Sequence, residues 1–167
     1  NHYFDNIARY VRDGGALLQY GAAQGHQGVR SVLAKRLHAL GVEAGPEEIL
    51  LTQGATEGIA LALRLFASPG DTVAVEEPTY ANVMSTVEAL GLKAVGVPMR
   101  ADGSDQAGPD LDVLARVLAR PEVKAFYTIP TFHNPLGLCT SVAHRTRLLE
   151  VAARAGKPVL EDAYELE

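Results

Sequence analysis

The stretch Glu48–Phe66, EILLTQGATEGIALALRLF, carries the reading on which the fold turns. Glu48–Thr52 is a short apolar run without polar alternation, the pattern of a strand buried on both faces. Ala55–Phe66 reads as a helix, stopped by Ser68-Pro69-Gly70-Asp71. The junction Thr52-Gln53-Gly54-Ala55-Thr56 joins them through a glycine turn. A buried strand feeding a helix is the unit of a parallel sheet with helical crossovers.

The alternation continues outward. Thr72–Glu76 is expected as a strand and Tyr80–Leu90 as a helix closed by Gly91. Lys93–Val97 is a strand, Ala101–Asp110 a polar loop, and Leu111–Ala119 a helix. Lys124–Ile129 is a strand, followed by a long turn to Thr140. Val142–Ala155 is a helix closed by Gly156, and Pro158–Glu161 is the last strand. Upstream, Val29, Val32, Leu33, Leu37 and Leu40 recur at helical spacing and Gly41 ends them. The expected fold class is α/β, with a mostly parallel sheet and helices on both faces.

The 167 residues suit one domain, or one lobe of a larger one, and 47% hydrophobic content excludes a disordered tail. A single cysteine, Cys139, excludes a disulfide framework and a cysteine-rich zinc site. It reads as a loop thiol without a paired base. Net charge is −5 and no basic cluster is present, which argues against binding nucleic acid through phosphates. No apolar run reaches the ~18 residues of a membrane span, and the N-terminus lacks a signal-peptide pattern. A cytoplasmic location is expected. The chain starts without Met and stops just after a strand, so both ends are expected to be cut.

In open α/β sheets ligands bind beyond the carboxyl ends of the strands. Gly54, Ala55 and Thr56 open a helix there, where free amides and the dipole favour a phosphate; an ordinary turn and cap is the plainer alternative. Glu77-Pro78-Thr79-Tyr80 delivers a ring that could stack on a flat heterocycle or simply pack at the turn. Pro130 to Gly137 is a stiff loop that fixes Asn134, whose amide could serve a ligand oxygen or its own backbone. Asp162 follows the last strand, and a carboxylate there needs a partner: an Arg, a helix N-terminus or a ligand cation. A protonated pyridine nitrogen would serve. His26, His38 and His144 show no convergent ligand pattern, so no metal role is assigned.

In this order and spacing the chain resembles the fold-type-I, class I/II aminotransferases, which depend on pyridoxal 5′-phosphate. It is most similar to the subgroup holding alpha-aminoadipate aminotransferases and the effector domains of MocR-type regulators of the GntR family. The resemblance runs from about Leu18 to the end. It rests on Tyr20-Gly21, Gly28-Val29-Arg30, Thr52 to Thr56, Pro69-Gly70-Asp71, Glu77 to Tyr80, Pro130 to Gly137, and Glu161-Asp162-Ala163-Tyr164. It implies an aspartate aminotransferase-like large domain over residues 18–167, truncated, behind an arm at 1–17.

By that resemblance Gly54, Ala55 and Thr56 would bind the phosphate and Tyr80 would stack on the pyridine ring. Asn134 and Tyr164 would serve the ring hydroxyl oxygen, Asp162 would pair with the pyridine nitrogen, and Tyr20 would reach the phosphate in a partner subunit of a homodimer. Leu136 replaces the family's Thr in the Asn-Pro-Thr-Gly turn, and Ala55 lacks a hydroxyl many relatives carry there.

The family's Schiff-base lysine and substrate-binding arginine lie downstream of the last residue. Lys93, Lys124 and Lys157 fall at or before strand starts, the opposite rim, and Lys35 lies on the N-terminal helix. The implied activity is amino-group transfer between an amino acid and a 2-oxo acid. The alternatives are a pyridoxal-phosphate-binding effector domain of a transcriptional regulator, and a catalytically inert α/β piece.

Overall fold

The computed structural model describes residues 2–12 and 20–163. The chain forms two compact units that meet in sequence at Thr52/Gln53.

The first unit contains α1 (His2–Arg12) and α2 (Gln27–Ala39), then a single 3-10 turn at Pro46–Glu48. Arg30 is buried and ties α2 to that turn: its guanidinium donates to Gly25 O (3.2 Å) and Pro46 O (2.5 Å). The strand expected at Glu48–Thr52 does not form. Glu48 closes the 3-10 turn and Ile49–Thr52 has no regular structure. A strand needs a neighbour for its ladder, and no strand among the described residues pairs with this segment. Leu51 N instead donates to Gln24 O at 3.0 Å.

The second unit is the sheet and its helices. In chain order it runs α3 (Ala55–Phe66), β1 (Thr72–Glu77), α4 (Ala81–Ala89), β2 (Lys93–Arg100), β3 (Gly108–Pro109), α5 (Leu111–Leu118), β4 (Val123–Thr128), α6 (Val142–Ala155) and β5 (Val159–Glu161). The strand order is β3-β2-β1-β4-β5. The pairs β2–β1, β1–β4 and β4–β5 are parallel. Only β3, a two-residue edge piece inside the stretch read as a polar loop, runs antiparallel, with Met99 opposite Pro109.

Side-chain alternation sorts the core onto two faces. Val73, Val75 and Tyr127 face one way and pack with Leu63 of α3 and with Val83 and Val87 of α4. Ala74 and Phe126 face the other way and pack with Leu114 and Leu118 of α5 and with Leu148 and Ala152 of α6. Helices on both faces explain why β1 is buried from Thr72 through Glu76. They also place Glu76, an acidic side chain, inside an otherwise apolar layer.

Candidate functional site

β1, β4 and β5 are parallel, so Glu77, Thr128 and Glu161 end on one rim. Helix α3 leads through Ser68–Asp71 to the amino end of β1, so its own start lies toward the carboxyl rim. Gly54, the N-cap of α3, has φ 94°, a conformation glycine accepts at little cost. Ala55 and Thr56 begin the helix and are exposed. Their amides, as first-turn N–H groups, have no acceptor within the helix. Glu57 sits beside them and accepts from Gln53 N at 2.5 Å.

Tyr80 is the N-cap of α4 and is half-buried against the Leu63–Val83 core. Asn82 Nδ2 donates to its hydroxyl oxygen at 2.6 Å. Asn134 is exposed on the loop between β4 and α6. That loop is pinned at both arms by Arg145 of α6. Its guanidinium donates to Pro130 O (2.8 Å), Thr131 Oγ1 (2.9 Å) and Thr140 O (2.8 Å). The bonds Glu77–Pro78 and Asn134–Pro135 are both cis.

Asp162 follows β5, and its N–H donates to Thr128 O at 2.9 Å. Among the described residues its carboxylate partner is a phenol, which the sequence did not suggest. Tyr127 Oη donates to Asp162 Oδ2 at 2.6 Å. Tyr127 is fully buried, and burial first, then Asp162, pushes its phenol pKa well up, with Glu76 and Tyr80 adding to the same effect. The structure therefore ties Asp162 to a buried phenol of the neighbouring strand. No cationic side chain among the described residues pairs with Asp162.

Tyr20 is fully exposed in the first unit. Tyr164 lies outside the described residues. Lys93 starts β2, Lys124 is the second residue of β4 and Lys157 precedes β5, all at the opposite rim. Lys35 is in α2. A groove of about 580 Å³ between α3 and α4 reaches this rim at Thr56 and Asn82 but includes neither Asp162 nor Asn134.

Sequence reasoning assigns no role to Glu76, Tyr127, His133 or Arg145. Glu76 carries a usable signal: a carboxylate in a buried strand is costly without donors. The others act through residues far away in the chain.

The class I and II aminotransferase profile matches residues 4–166. The chain belongs to the class I and II aminotransferase family. The 2-aminoadipate transaminase of Thermus thermophilus is 34% identical over 93% of this chain and 37% of its own length. The crystal structure of alpha-aminoadipate aminotransferase from the same organism, complexed with N-(5′-phosphopyridoxyl)-L-leucine, superposes with a TM-score of 0.79 at 34% identity, covering 94% of this chain and 38% of that one. An uncharacterised helix-turn-helix-type transcriptional regulator of Bacillus subtilis (strain 168) is 31% identical over 89% of this chain and 32% of its own length. This family member thus spans less than two-fifths of the length of each of these relatives.

Proposed function

We propose that this chain supplies the cofactor-holding rim of a pyridoxal-phosphate-dependent aminotransferase, acting between an amino acid and a 2-oxo acid. The observation that carries the reading is Asp162: a half-buried carboxylate at the carboxyl end of β5, held by a neutral phenol and without a cationic partner among the described residues. Such a group fits a pyridinium nitrogen. Family membership and the phosphopyridoxyl compound in the Thermus relative support the same cofactor.

Gly54, Ala55 and Thr56 would hold the phosphate by helix-start amides and a hydroxyl. Tyr80 would lie against the ring, and Asn134 and Tyr164 would serve its hydroxyl oxygen. Asp162 would keep the ring nitrogen protonated. When bound, the cofactor supplies a ring that absorbs the charge left on the substrate carbon. Tyr127 keeps its proton on Oη and so donates to Asp162 rather than competing with it. Residues 18–167 would form part of the large domain, with Tyr20 directed to a partner subunit's phosphate in a cytoplasmic homodimer.

Titration of the chain with pyridoxal phosphate, followed by absorbance, tests the reading. Saturable binding that Asp162→Ala weakens far more than Tyr80→Phe supports it. Equal affinity of both variants with wild type overturns the site. Borohydride reduction and mass measurement then report whether any of the four lysines forms a covalent adduct; none is expected at Lys93, Lys124 or Lys157, which lie at the opposite rim.

A second reading, an effector domain of a transcriptional regulator, is favoured by the similarity to the Bacillus subtilis regulator. A winged-helix segment encoded upstream of Asn1 would decide for it.

A further inference from the structure

The rim depends on two loops from different strands keeping a fixed spacing, one carrying Tyr80 and the other Asn134. We propose that Glu76 and His133 form a buried clamp that sets this spacing, as positioning residues for the site; the cofactor part of the inference rests on the function proposed above.

The clamp is built from β1, the end of β4 and the loop after it. Glu76 is buried, one residue before the Glu77-Pro78-Thr79 segment that leads to Tyr80. Its Oε1 accepts from Thr128 Oγ1 at 2.5 Å and its Oε2 from Ile129 N at 2.9 Å. His133 Nε2 lies 3.1 Å from the same Oε2, with both side chains wholly inaccessible to solvent. The approach is too oblique to count as a hydrogen bond, so the contact is electrostatic rather than directional.

The other ring nitrogen fixes the tautomer. Leu136 N donates to His133 Nδ1 at 3.3 Å, which leaves the ring proton on Nε2, the nitrogen nearer the carboxylate. The backbone of His133 closes the loop on itself. Its N–H donates to Leu138 O at 2.8 Å, and its carbonyl accepts from Gly137 N at 2.5 Å. Asn134, the next residue, is thereby carried on a turn whose inner side is anchored to β1.

A carboxylate inside an apolar layer is costly, and an aliphatic residue would pack there more cheaply. What the carboxylate adds is geometry: one side chain gathers donors from β4 and from the loop, and a displacement of either would strand a buried charge. Arg145 holds the outer arms of the same loop, so the clamp at its inner side is what ties it to the Tyr80 segment.

The test uses the whole chain with His133→Leu, which removes the contact, and His133→Gln, whose amide can still donate toward Glu76. Amide hydrogen exchange is read at Leu136 and Gly137, at Val83, whose N–H donates to Tyr80 O, and at Val73 and Val95 as a control for folding. Pyridoxal phosphate affinity is read in parallel. His133→Leu is expected to speed exchange in both loops by roughly tenfold or more while the control amides stay protected, and to weaken cofactor binding by a similar factor. His133→Gln is expected to restore most of both.

Unchanged exchange in His133→Leu overturns the clamp. So does loosening confined to residues 130–137, because the two loops would then be independent. If wild type itself binds no cofactor, the function proposed above fails, and the exchange data still decide the clamp. If His133→Leu loses protection at Val73 and Val95 as well, the decision passes to His133→Gln: loop exchange within about threefold of wild type supports the clamp, and unfolding or unselective loosening overturns it.

Discussion

The phenol of Tyr127 donates to the carboxylate of Asp162 across the β4–β5 edge, at 2.6 Å. A buried strand residue thus orients the acid that follows the next strand. Removing the hydroxyl in Tyr127→Phe should cost about 1 kcal/mol in urea denaturation at neutral pH, the usual net worth of a hydrogen bond. The alkaline limb is more telling. Folding raises the phenol pKa above its ordinary 10.0, chiefly by burial. The unfolded chain therefore sheds this proton first, and the stability Tyr127 supplies is full below about pH 10 and lost as pH rises beyond it. The gap between wild type and Tyr127→Phe should shrink, then reverse, above that pH. A gap independent of pH would contradict the burial of a neutral phenol.

Gly54 offers a test of the helix start. At φ 94° a side chain is strained whatever the space, and a Cβ here would meet nothing within 4 Å. Gly54→Ala should therefore cost about 1–2 kcal/mol through backbone strain alone. If the first-turn amides hold a phosphate, the same variant should also weaken pyridoxal phosphate binding severalfold. Thermal unfolding and cofactor titration separate the two effects. Full affinity in a destabilised Gly54→Ala would move the phosphate away from α3.

Most of this fold could be read because parallel strands and their crossover helices leave local signs. The ends of α3 and α6 agree with their glycine and proline stops, and β1, β4 and β5 lie within a residue or two of expectation. Glu48–Thr52 misled because a short apolar run looks the same in a buried strand and in a packed irregular segment. The β3 piece could not be foreseen, since Gly108-Pro109 is a strand only by virtue of Met99 and Arg100 beside it. The rim positions Tyr80, Asn134 and Asp162 were visible because each follows a strand. Tyr127 and Glu76 were not, because their meaning lies in Asp162 and His133, which adjoin them only after folding.

Asp110 joins β3 to α5 and caps that helix. Its Oδ1 accepts from Asp112 N and Val113 N, each at 3.0 Å, and Arg100 Nη2 donates to Oδ2 at 2.6 Å. The Arg100 hydrogen bond, then the helix amides, hold its pKa below the ordinary carboxylate value. Asp110→Ala should cost about 1 kcal/mol as a lost N-cap. Arg100→Ala should cost less than Asp110→Ala, since that side chain is half-exposed and its ion pair is screened by solvent. The cap's contribution should be complete above about pH 4 and fade as pH falls further, because the folded carboxylate keeps its charge longer than the unfolded one. Urea denaturation of the two variants at pH 7 and pH 3 reads both effects. A larger loss for Arg100→Ala would make the ion pair, not the cap, the main contribution.

His144 sets the behaviour in mild acid. It lies in the first turn of α6 and is buried, and its Nε2 is 3.0 Å from the carbonyl of Pro109. Burial lowers its pKa below the ordinary 6.5, and Arg147 and Arg100 push the same way, against the opposing pull of the Pro109 carbonyl. The unfolded chain thus takes up a proton that the folded one refuses. The stability His144 supplies is full above about pH 6.5 and is lost as pH falls through the range below it. His144→Gln keeps an N–H for Pro109 but cannot titrate. Its stability should therefore fall less than that of wild type between pH 7 and pH 5, measured by urea denaturation at each pH. Parallel curves would mean that the imidazole is protonated as readily when folded as when unfolded, and that its burial beside Pro109 does not govern its charge.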